Sequence, residues 1–155
     1  MSQPELNKPA PAFDLPATGE QQISLSAMSG RKVVLFFYPR DATPGCTTES
    51  QNFRDAIEAF TAANAIILGI SQDPVASHEK FKAKQAMPFE LLSDEEGGVC
   101  RAYDVIKLKK MYGKEFEGIE RSTFLIDEKG VLRQAFRKVK IPGHVEEVLE
   151  AVQAL

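Results

Sequence analysis

An unbroken run of aliphatic and aromatic residues, Val33-Val34-Leu35-Phe36-Phe37-Tyr38, stands out in an otherwise mixed chain. Because it shows no alternation, it predicts a strand covered on both faces. A loop follows, Pro39-Arg40-Asp41-Ala42-Thr43-Pro44-Gly45, and Cys46 opens a helix. That helix is read from Phe53, Ile57 and Phe60, with Ala56 and Ala59 on the same side. Thr43 suits the N-cap and Pro44 the first helical position, which puts Cys46 in the first turn.

The rest of the pattern can be read in chain order. Prolines at 4, 9, 11 and 16 predict an extended, irregular start. Phe13 and Leu15, then Ile23 and Leu25, alternate with polar residues around Thr18-Gly19-Glu20, as in a small β-hairpin. Ala65 to Ile70 reads as a second buried strand. Asp73 and Pro74 read as N-cap and first residue of a helix carrying Val75, His78 and Phe81. Phe89 to Leu92 predicts a short strand, and Ser93-Asp94-Glu95-Glu96 caps a helix with Val99, Cys100 and Tyr103. Ile106 to Ile119, with four lysines and two glycines, reads as a surface loop. Ser122 to Ile126 and Val131 to Phe136 flank the turn Asp127-Glu128-Lys129-Gly130, and Val145, Val148, Leu149 and Val152 line a final helix. The βαβ unit implies parallel neighbours and the late hairpin antiparallel ones. The expected fold is therefore α/β, a central mixed sheet with helices on both faces and an N-terminal β-hairpin extension.

Composition narrows the function. A chain of 155 residues fits one domain, and 43% apolar with 26% charged residues is ordinary for a soluble globular protein. A net charge of −3 argues against nucleic acid or an anionic membrane as partner. No apolar run approaches the ~20 residues of a membrane span. The N-terminal stretch lacks the basic-then-apolar layout of a secretory signal, and two cysteines 54 positions apart form no disulfide framework, so a cytoplasmic location is expected.

Candidate chemistry centres on Cys46. A thiol in a first helical turn lies near unpaired backbone N–H groups and the positive end of the helix dipole, conditions that favour a thiolate. The alternative is a small buried cysteine filling a gap.

The spacing Pro39-x-x-x-Thr43-x-x-Cys46 resembles the active-site motif of the peroxiredoxins, thioredoxin-fold peroxidases. Phe37-Tyr38-Pro39 together with Thr43-Pro44-Gly45-Cys46-Thr47-Thr48-Glu49 resembles their bacterioferritin comigratory protein (PrxQ) branch. Arg121-Ser122-Thr123-Phe124-Leu125-Ile126-Asp127 matches the family segment whose active-site arginine falls on Arg121. The likeness runs from about Pro9 to the last helix and implies a single thioredoxin-like domain over residues 1–155. It also implies a peroxide substrate, an external thiol reductant of thioredoxin, glutaredoxin or glutathione type, no cofactor or metal, and a monomer.

The resemblance gives Cys46 the role of peroxidatic thiol, oxidised to a sulfenic acid. Arg121 would hold sulfur and peroxide oxygens together, Thr43 would hydrogen-bond the peroxide, and Pro39 would shield the site. Glu49 either orients Arg121 or faces solvent. Acidity alone contributes little: lowering a thiol pKa from ~8.5 to ~6 raises the thiolate fraction at pH 7 about 30-fold, but the weaker nucleophile returns roughly 10- to 18-fold of that. Most of the rate must come from transition-state stabilisation.

The chain departs from the branch pattern where a second, resolving cysteine is expected. One such position holds Gln51 and the other Lys82. Cys100 is expected to be buried and inert, which points to a one-cysteine mechanism. Three other functions compete. A thioredoxin-type oxidoreductase would need a second thiol where Thr43 stands. A metal module would have to use Cys46, Cys100, His78 and His144, which lack ligand spacing; both histidines read better as surface or helix-start residues. A redox sensor would use Cys46 without fast turnover. Lys107, Lys109, Lys110 and Lys114 either guide an acidic reductant or belong to a solvated loop.

Overall fold

A computed structural model describes residues 4–155, apart from the Met111 side chain. Met1–Gln3, the head of the stretch read for a secretory signal, lie outside the described residues. The apolar run becomes β3 (Lys32–Phe37), an interior strand of a seven-stranded sheet. On one side it pairs in parallel with β4 (Ala65–Ser71), which pairs in parallel with β5 (Glu90–Ser93). On the other side it pairs antiparallel with β8 (Ser122–Ile126), followed by β9 (Leu132–Phe136). The N-terminal hairpin, β1 (Asp14–Ala17) and β2 (Gln21–Ser24), extends the β5 edge, giving the order β2-β1-β5-β4-β3-β8-β9.

Successive residues of β3 point to opposite faces. Val33, Leu35 and Phe37 join one buried cluster, which includes Cys100 and Tyr103. Val34, Phe36 and Tyr38 join the other, with Cys46, Phe53 and Phe60. The second cluster is roofed by α1 (Pro44–Asp55), α2 (Ile57–Ala62), α3 (Val75–Gln85) and α5 (His144–Gln153); α4 (Gly98–Ala102) covers the first. Among the described residues no helix is long and apolar enough to cross a membrane.

Four details differ from the sequence reading. The helix expected to run through Phe53 and Phe60 breaks at Ala56 (φ −102°, ψ 7°), and both phenylalanines still reach the same core. The third helix starts one residue late: Pro74 takes the cap position, and the Asp73 carboxylate accepts from the Asp41 N–H (2.8 Å) instead of capping. The supposed loop 106–119 is a second sheet, β6 (Ile106–Met111) and β7 (Lys114–Ile119), paired in full register. Its turn is Tyr112-Gly113 with φ of 53° and 77°, the two left-handed residues of a type I′ hairpin. Lysines and glycines hid it, because they suggest a loop by composition. Finally, neither histidine lies on the surface. His144 does start α5, but its ring is buried, and His78 is wholly buried inside α3.

Candidate active site

The loop after β3 leads directly into α1, and Thr43 sits at its N-cap with extended backbone (φ −77°, ψ 153°). Its hydroxyl does not cap the helix; it donates to the Arg40 carbonyl at 3.0 Å. The oxygen lone pairs are thus left to accept another hydrogen bond. Pro44 occupies the first helical position, as expected. Cys46, two residues later, has an N–H that the helix itself cannot pair. Pro39 is half-buried at the end of β3.

Arg121 reaches the same place from a distant part of the chain. Ser122 of β8 pairs with Phe37 of β3, so antiparallel β8 begins where β3 ends, and the residue before it stands beside the α1 entrance. One arm of its guanidinium, Nη2, donates to Cys46 Sγ at 3.3 Å; the other, Nη1, donates to Glu49 Oε1 at 2.7 Å. Cys46 is only 1% exposed, so this charge acts with little screening by water. Gly45 makes the approach possible: a Cβ there would lie 3.2 Å from Arg121 Nη2 and 3.3 Å from Ile141 Cδ1.

Glu49 is fully buried, one turn beyond Cys46, and its Oε2 has no hydrogen-bond partner among the described residues. Burial pushes its carboxyl up to about 7, against the opposing pull of Arg121. For Arg121 itself burial acts downward, but Glu49 and Cys46 outweigh it, and the guanidinium is held more firmly charged than usual. His144 feels the Arg121 charge: Thr123 Oγ1 lies 2.8 Å from its Nε2, and burial, then Arg121, lower it to about 4. Of the two readings of Glu49, the one that orients Arg121 therefore matches the contacts.

The two cysteines lie on opposite faces of the sheet, and both are free thiols. Burial, then the Asp94 carboxyl, push the Cys100 thiol far up, which keeps it protonated. The positions where a second active cysteine would stand serve as struts. Gln51 donates to Gln85 Oε1 (2.8 Å), tying α1 to α3, and Lys82 pairs with Glu90 of β5. Cys46, Cys100, His78 and His144 are not brought together. The carboxylate-histidine grouping that does form among the described residues is Asp41, Asp73 and His78.

Sequence reasoning missed the burial of Glu49, the close approach over Gly45 and the Asp41–His78 contact. The first was recoverable, since position 49 is three residues from 46 and shares its helix face.

Residues 6–135 match the AhpC/TSA family. The chain is 50% identical to peroxiredoxin Bcp of Xanthomonas campestris over 99% of its own length and 98% of that protein's. It is 48% identical to peroxiredoxin Bcp of Bacillus subtilis, over 96% and 95%. Among solved structures, X. campestris peroxiredoxin Q superposes with a TM-score of 0.88 at 50% identity, covering 92% of this chain and 90% of that one. A Xylella fastidiosa PrxQ mutant reaches 0.93 at 41% identity, covering 99% and 98%. A further structure of the X. campestris bacterioferritin comigratory protein (0.88, 49% identity, covering 92% and 90%) concerns the alkyl peroxide reduction activity of that protein. This chain therefore has the thioredoxin fold and belongs to the AhpC/TSA family, in its Bcp/PrxQ peroxiredoxin branch, and is a thiol peroxidase.

Proposed function

We propose that Cys46 is the peroxidatic thiol, that Arg121, Thr43 and Pro39 complete the site, and that turnover follows a one-cysteine mechanism. The observation carrying the reading is the guanidinium fork shared between Cys46 Sγ (3.3 Å) and buried Glu49 (2.7 Å). The thiolate attacks one peroxide oxygen, forming S–O as O–O breaks; the other oxygen leaves as alkoxide or hydroxide and takes a proton to become alcohol or water. Negative charge moves from sulfur to the departing oxygen, and Arg121 with the Cys46 N–H stabilises it throughout. Thr43, whose own proton is committed to Arg40, accepts the peroxide O–H and fixes which oxygen faces the sulfur.

An external thiol then attacks the sulfenic sulfur and releases water, and a second thiol reduces the mixed disulfide. The sheet between Cys46 and Cys100 supports this route over an internal disulfide. A bridge would need Cα atoms within about 7 Å. Hydrogen peroxide and organic hydroperoxides are the substrates in this reading, the latter by analogy with the X. campestris relative. A monomer made of one domain over residues 1–155, working in the cytoplasm with a thioredoxin, glutaredoxin or glutathione type reductant, completes the proposal.

Steady-state peroxide consumption with a dithiol reductant tests it. Cys46→Ser is expected to abolish turnover while keeping the fold, and Cys100→Ala to retain it. Turnover surviving in Cys46→Ser, or lost in Cys100→Ala, would overturn the proposal. Peroxide oxidation of Cys46 without steady turnover would favour a sensor.

A further inference from the structure

On the loop that carries Thr43, a buried polar cluster forms which the reaction as described does not use. Asp41 Oδ1 accepts from Tyr38 Oη (2.6 Å), and Asp41 Oδ2 accepts from Ser77 Oγ (2.7 Å) and faces His78 Nδ1 (2.7 Å). His78 Nε2 lies 2.9 Å from the Leu92 carbonyl of β5. The Asp41 N–H donates to Asp73 Oδ2, which also accepts from Ser71 Oγ (2.7 Å). Tyr38, Ser71 and His78 are fully buried, and Asp41 is 8% exposed.

Although burial pushes the Asp41 carboxyl up, the hydrogen bonds from His78 and Tyr38, the His78 charge and the bond from Ser77 outweigh it and hold it low; it is therefore an ionised acceptor. A backbone carbonyl is also only an acceptor. Both ring nitrogens of His78 thus lie against oxygen atoms, Nδ1 at Asp41 Oδ2 and Nε2 at the Leu92 carbonyl. The cluster is a buried histidine–carboxylate pair, with each ring nitrogen already engaged and none free to ligate a cation.

Its position gives it a purpose. Ala42, between Asp41 and Thr43, has φ of 62°, a left-handed conformation that is costly for a non-glycine residue. Such strain persists only where the surroundings over-determine it. We propose that Asp41 and His78 are positioning residues: their hydrogen-bonded contact clamps the loop to α3 and β5, holds Ala42 in its strained conformation, and so fixes Thr43 and the α1 entrance at Cys46. The inference rests on the reading of Cys46 as the reacting thiol.

The test compares two reactions of Cys46 in the full chain, oxidation by hydrogen peroxide and alkylation by iodoacetamide. In His78→Asn and Asp41→Asn, loosening the loop is expected to slow peroxide oxidation about tenfold or more. Alkylation should hold steady or quicken, because the buried sulfur becomes easier to reach. Peroxide rates within twofold of the parent, or both reactions falling by one factor, would overturn the proposal. Should these variants fail to fold, Ser77→Ala, which removes a single donor to Asp41, is measured in the same way. Cys46→Ser, run alongside, separates the two failures. Peroxide consumed by that variant removes the site itself, whereas an inert Cys46→Ser beside an unaffected His78→Asn removes only the clamp.

Discussion

Replacing Glu49 with glutamine should expose a pH dependence that the parent protein hides. Burial raises the Glu49 carboxyl from 4.5 to about 7, which is worth about 3 kcal/mol. A raised acid favours the folded state when protonated. Its contribution is complete below pH ~4.5 and is lost as pH rises through ~7. His144 does the opposite over the same range. Its folded value falls from 6.5 to about 4, so the ring resists protonation, and stability present above pH ~6.5 is lost as pH falls toward ~4, again by about 3 kcal/mol. In the parent chain the two slopes largely cancel between pH 4.5 and 6.5. Glu49→Gln leaves His144 alone, and the unfolding free energy should drop by about 2–3 kcal/mol between pH 7 and 4.5. His144→Asn leaves Glu49 alone, and stability should instead fall as pH rises. Urea denaturation at several pH values above 4.5 measures both, clear of Asp41 and Asp127, whose folded values lie below the ordinary aspartate range. Profiles for the two variants that run parallel to the parent would refute the reasoning.

Three further outcomes follow from contacts around the site. Arg121→Lys loses the two-armed hold on Cys46 and Glu49, and the second-order rate of peroxide oxidation should fall about 100-fold in stopped-flow measurements, with the fold unchanged by circular dichroism. Gly45→Ala puts a methyl 3.2 Å from Arg121 Nη2 and should slow the same step about tenfold with less than 1 kcal/mol lost in stability, because the flexible guanidinium gives way. Gly69→Ala, on β4, meets Leu91 Cδ2 at 2.7 Å and Phe36 Cζ at 2.9 Å; thermal unfolding should show a loss of about 1–3 kcal/mol.

The sequence spoke most clearly where one physical signal dominates. Val33–Tyr38 could be read as the central strand because a fully buried strand leaves no polar alternation. Cys46 could be placed in a first turn because Thr43 and Pro44 mark a helix start. The hairpin at 106–119 was illegible, since its strands are solvated on much of their surface and its turn uses Tyr112 where asparagine or aspartate would be the usual sign. The buried ionisable groups were harder still. Glu49, Asp41 and His78 look like surface residues by type, and only tertiary partners from β3, α3, β5 and Arg121 make their burial tolerable. Arg121 stands between these cases. Its position before a strand shows in the sequence, but its reach to Cys46 depends on β8 running antiparallel to β3.

The central claim concerns one sulfur atom and is best tested by trapping what it becomes. After one equivalent of hydrogen peroxide, without reductant, peptide mapping with a sulfenic-acid trap should find the adduct on Cys46, with Cys100 a free thiol, and Arg121→Ala should form it far more slowly. A disulfide joining Cys46 to Cys100, or oxidation that spares Cys46, would contradict the account.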